Sequence, residues 1–111
     1  MTEIQGGGSG PVTPRQKEMY EQEYRHGTDL FQKALQQSAK SDNPYQKAEF
    51  QKVMDQAMVV LNQTAKGLKR EDLEQQNQQI AADYKSYQQN PSDASRKKLL
   101  QDLNKAKSSI S

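Results

Sequence analysis

The chain has 111 residues, of which 32% are hydrophobic, 27% charged and 6% aromatic; its formal net charge is +2, with one His and no Cys or Trp. That length favours a single domain, and an apolar content well under the ~45–50% of globular chains implies a thin core. Without Cys there is no disulfide, no thiolate nucleophile and no Cys-ligated metal site.

Residues 1–12 hold Gly6, Gly7, Gly8, Gly10 and Pro11 and read as a disordered, Gly-rich tail. The stretch lacks the basic start and apolar run of a secretory signal. The longest apolar run of the chain, Ala57 to Leu61, is far short of the ~18 residues of a membrane span. A cytoplasmic location is the expectation.

Residues 13–111 read as one helical domain. Ala, Leu, Glu, Lys, Arg and sixteen of the chain's seventeen Gln dominate it, and β-branched residues nowhere alternate with period two, so no strand is expected. Thr13-Pro14-Arg15-Gln16 places a capping side chain, then Pro at the first helical position, then Gln at the third. It predicts a helix over 14–40. Tyr20, Tyr24, Gly27, Phe31, Ala34 and Ser38 form its stripe, with Gly27 either tolerated or a point of close packing.

Asn43-Pro44-Tyr45-Gln46 repeats the layout and predicts a helix from 44 to 66 with the stripe Phe50, Met54, Ala57, Leu61, Thr64 and Leu68. The next apolar positions are Leu73, Ile80, Tyr84 and Tyr87. The five-residue step from Leu68 to Leu73 turns the stripe by about 140°, which predicts a break or kink near 67–70, with Gly67 as a candidate C-terminal glycine. Asn90-Pro91-Ser92-Asp93 predicts the last helix over 91–108, with Leu99 or Leu100, Leu103, Ala106 or Lys107, and Ile110 inward. The short links imply antiparallel neighbours. The expected fold is all-α: a small antiparallel bundle of three to four helices, or stacked helical hairpins.

Chemistry-bearing patterns are sparse. His26 and Glu23 have the i, i+3 spacing of carboxylate-bridged di-iron bundles, but no second His completes such a centre, so no metal or cofactor is expected. Glu71, Asp72 and Glu74 are explained by the positive end of a helix dipole. No GxSxG, HExxH or Gly-Lys-Ser/Thr loop occurs, and no nucleophile–base pair is apparent. An enzyme is not expected.

Two groups remain. Arg96, Lys97, Lys98, Lys105 and Lys107 concentrate positive charge in the last helix and suit phosphate contact with nucleic acid. Tyr20, Tyr24, Tyr84 and Tyr87 sit at helical neighbour spacing; they serve either as edge packing with phenol oxygens in water or as a partner-binding face. Met54 and Met58 would support that face.

Residues 29–66, read as helix, Ser41-Asp42-Asn43-Pro44 turn, helix, resemble the hairpin of type III secretion needle subunits, small all-helical proteins with a polar flexible N-terminus and an Asn-Pro turn. The chain departs from that pattern by continuing for some forty-five residues beyond the second helix. The resemblance implies a secretion-associated subunit or chaperone. The residues themselves favour a non-enzymatic helical module that presents a helix face to a partner protein or self-associates. Nucleic-acid binding through the last helix is the alternative.

Overall fold

A computed structural model describes residues 12–110. The expected tail therefore lies outside the described residues, except Val12. Four helices follow, with no strand among the described residues: α1 (Pro14–Lys40), α2 (Pro44–Leu68), α3 (Glu71–Gln89) and α4 (Asp93–Ser108).

Local chemistry explains most of the ends. Thr13 accepts from the backbone N–H of Gln16 while the Gln16 side chain accepts from that of Thr13, a reciprocal cap at α1. Asn43 Oδ1 accepts from the amides of Tyr45 and Gln46 at α2. The second Asn-Pro pair acts differently. Asn90 terminates α3 and Pro91 lies in the link, so α4 starts at Asp93 under a reciprocal cap between Ser92 and Ser95. The serine pair satisfies two first-turn donors that Asn90 alone would leave to water.

The break between α2 and α3 falls at Lys69–Arg70. Lys69 adopts the left-handed conformation, φ 56° and ψ 37°. Its amide donates to the carbonyl of Lys66, and that of Arg70 to the carbonyl of Ala65. This is the Schellman closure, with lysine where glycine is usual. Gly67 stays helical and does another job. A Cβ there would stand 2.6–2.8 Å from three ring atoms of Tyr20, so the missing side chain lets the tyrosine lie on the α2 backbone. Gly27 likewise admits Leu61 and Val60, whose side-chain carbons would be 3.1 and 3.2 Å from a Cβ. Of the two roles open to Gly27, the structure shows close packing.

Each helix packs antiparallel on the next, and α4 closes against α1, an up-down-up-down arrangement. The core follows the stripes. Phe31, Leu35, Leu61, Leu73, Ile80, Leu99 and Leu103 are fully buried, and burial of each such side chain contributes about 1.5–3 kcal/mol. The α4 alternatives resolve to Leu99, Leu103, Ala106 and Ile110 inside.

Candidate interaction surface

The tyrosines chosen from sequence divide by position. Tyr24, Tyr84 and Tyr87, with Met54, are buried; Tyr20 and Met58 are half-buried against the core. The phenols of Tyr24 and Tyr84 both bond to side chains of other helices, and that of Tyr24 is buried, which corrects the picture of phenol oxygens left to water. Tyr24 donates to Asn77 Oδ1 at 2.7 Å, and Tyr84 to Asp55 Oδ1 at 2.7 Å. Tyr84 also meets Phe31 edge-to-face, with ring centroids 5.0 Å apart. Burial is the main reason both phenols hold their protons well above the usual range; nearby Asp72 adds to it at Tyr24, and the Asp55 carboxylate at Tyr84.

Asn77 is the polar residue that sequence patterning missed. Its Nδ2 donates to the Leu61 carbonyl at 2.9 Å, so one buried chain of hydrogen bonds runs from α1 through α3 to α2. The seven-residue gap between Leu73 and Ile80 was the available signal, because a helical stripe needs an inward residue in between.

The basic residues do not form one patch. At about 100° per residue, Arg96 and Lys107 share one side of α4, while Lys98 and Lys105 lie nearly opposite. Several are already paired: Arg96 with Asp93 at 3.2 Å, Lys98 with Asp83 at 3.6 Å, and Lys107 with Asp29 at 2.6 Å. A smaller group replaces the expected one. Lys40 from α1 joins Arg96 and Lys97 around an open hollow of about 360 Å³, with Gln36 and Leu100.

His26 is exposed beside Met19, Gln22 and Glu23. No group of three metal-ligating side chains occurs among the described residues, and none of their helices is long and apolar enough to cross a membrane. Glu71, Asp72 and Glu74 do lie in the first turn of α3. Asp72 is held below the usual carboxylate range chiefly by hydrogen bonds from Arg70.

Large apolar side chains left uncovered lie mostly on one hairpin. Met19 (54% exposed), Tyr45 (84%) and Val59 (52%) all belong to α1 or α2. So do the half-buried Tyr20, Leu30, Phe50, Val53 and Met58, whereas α3 has none and α4 only Leu100. Met19, His26 and Leu30 follow one line of α1 at steps of seven and four, and the first two border a hollow of about 300 Å³. Tyr45 and Val59 were not singled out from sequence, since neither falls on the helical stripe of α2.

Comparison with family models, curated proteins and solved structures gives no match to this chain. The resemblance of residues 29–66 to needle subunits gains no support from it.

Proposed function

We propose that the chain is a non-enzymatic helical protein-interaction module that presents the outer side of the α1–α2 hairpin to a partner protein or to another copy. The one-sided distribution of uncovered apolar side chains carries this reading: Met19, Tyr45 and Val59 are exposed on α1–α2, and the α3–α4 hairpin has no equivalent. Apolar surface removed from water contributes about 25 cal/mol per Å². A rigid helical pair exposing several such side chains therefore offers a partner a preformed face, the helix-surface mode of recognition.

The test is a double substitution, Met19→Glu with Val59→Lys. Both side chains face solvent, so the dilute protein should melt within about 2 °C of the parent. Concentration-dependent sedimentation, or retention of a partner that the parent chain holds, should be lost. Association unchanged by the pair of charges would refute the reading.

A second reading rests on the convergence of Lys40, Arg96 and Lys97 from two helices at one hollow. An anionic partner such as nucleic acid would be bound there with an affinity that falls steeply with salt. Converting Lys40, Arg96 and Lys97 to Gln would abolish that binding and leave the Met19 and Val59 surface intact.

A further inference from the structure

The α2–α3 link differs from the other two. Pro44 opens α2 directly after the first link and Pro91 stands in the last, and proline within a helix removes a hydrogen bond and clashes with the carbonyl four residues back, so neither can straighten. Ala65 to Leu73 contain no proline. Only Lys69 (φ 56°) and Arg70 (φ −104°, ψ 103°) leave the right-handed helix there. Lys69 is the only non-glycine residue with positive φ among the described residues, a conformation L side chains disfavour. The start of α3 is also the only helix start described whose N-cap residue makes no side-chain hydrogen bond to the first turn.

Two residues turning right-handed would join α2 and α3 into one helix of about 70 Å. The strain at Lys69 would disappear and the first amides of α3 would take helical carbonyl partners in α2. The stripes on either side of the junction would then face nearly opposite directions, because Leu68 and Leu73 are about 140° apart around the axis. A straightened single chain leaves both stripes bare. Two straightened chains cover them mutually, each supplying α3–α4 to the other's α1–α2. The contacts that close the monomer, from Tyr24 to Asn77, Asn77 to the Leu61 carbonyl and Tyr84 to Asp55, all join α3 to α1 or α2 and re-form between chains.

We infer that the partner this fold is built to accept is a second copy of the chain, exchanging α3–α4 hairpins about a hinge at Lys69–Arg70. Short, strained links favour such exchange. Arg70 is the closing latch: its guanidinium binds the Asp72 carboxylate and donates to the carbonyl of Ser109, beyond the end of α4. This route does not depend on the exposed side of α1–α2.

Spin labels at Lys52 and Lys85 of the full chain, diluted with unlabelled chain and refolded at millimolar concentration, report the distance within one chain. Packed neighbouring helices place the labels about 10–20 Å apart in the monomer. The isolated dimer should show about 50 Å, the spacing along a continuous helix. Lys69→Gly removes the strain at both hinges and should weaken dimerisation about twenty-five-fold, roughly fivefold per hinge. Lys69→Ala stays strained in the turn, suits a helix better, and should dimerise at least as well as the parent. The inference is overturned by a chain that stays monomeric at every concentration, by a dimer whose intrachain distance stays short, or by Lys69→Gly dimerising like the parent. A short distance in the dimer would still be compatible with association through α1–α2.

Discussion

Tyr24 and Asn77 meet across the interior of the bundle, the phenol donating to the amide oxygen at 2.7 Å with both residues almost wholly shielded from water. The same amide donates onward to the carbonyl of Leu61 at 2.9 Å, so three helices share one polar tie. A sliding of α1 against α3 by one turn would bury these groups without partners, and that penalty helps hold the bundle in one alignment.

The tie should appear as non-additive stability. Tyr24→Phe leaves Asn77 Oδ1 without its donor and should cost about 1–2 kcal/mol. Asn77→Ala should cost about 2–4 kcal/mol, since it strands the phenol and opens a cavity. In urea unfolding the double variant should lose at least 0.5 kcal/mol less than the sum, roughly the lower limit for coupled residues. Strict additivity would mean the two groups do not interact.

Stability should fall at alkaline pH. Tyr24 and Tyr84 hold their protons more tightly when folded than the ordinary phenol near pH 10, mainly through burial. Their contribution is complete below that value. It is lost above it, because the unfolded chain ionises first. Absorbance at 295 nm should show these two of the five tyrosines ionising only as the helical signal collapses. Replacing both with Phe should flatten the alkaline slope.

Much of the fold was legible because amphipathic stripes are a direct record of burial. The Phe31, Met54, Leu61 and Ile80 lines all point inward as their spacing required. What escaped has physical reasons. Asn77 and Thr28 are buried though polar, which hydrophobic spacing cannot register; each bonds inside, Thr28 to the Arg25 carbonyl. The lysine turn at Lys69 escaped because a glycine stood two residues away and is the usual choice for positive φ. The basic cluster of α4 looked coherent in sequence, but neighbours in a helical chain point 100° apart. The uncovered side of α1–α2 was hidden for a related reason: which apolar residues stay outside depends on where the other hairpin lies.

Gly67 and Tyr20 should show a change of sign. Gly67→Ala forces the Tyr20 ring off the α2 backbone and should destabilise by about 1 kcal/mol or more. In a Tyr20→Ala background the same change should stabilise by about 0.5–1 kcal/mol, the ordinary gain of Ala over Gly in a helix. Thermal melts of the four proteins decide it. A Gly67→Ala effect of one sign in both backgrounds would remove the packing role.

Asp83 is 6% exposed, accepts from Gln79 at 3.2 Å, lies 3.6 Å from the Lys98 ammonium, and has one carboxylate oxygen without a partner. A buried charge so incompletely compensated is costly. Asp83→Asn should leave stability unchanged or raise it by up to about 2 kcal/mol, whereas Lys98→Gln should lower it by about 1–2 kcal/mol. Chemical denaturation of the two variants gives the comparison.

The functional account is tested most directly by placing a photo-reactive residue at Met19, Tyr45 or Val59, and for contrast at Lys85 or Lys105, in full-length chains expressed in cells. The α1–α2 positions should yield one discrete cross-linked species, whether a second copy or another protein, and the α3–α4 positions should yield no species other than the hairpin-exchanged second copy. Adducts confined to α3–α4, or an even smear from every position, would contradict the assignment of the binding surface.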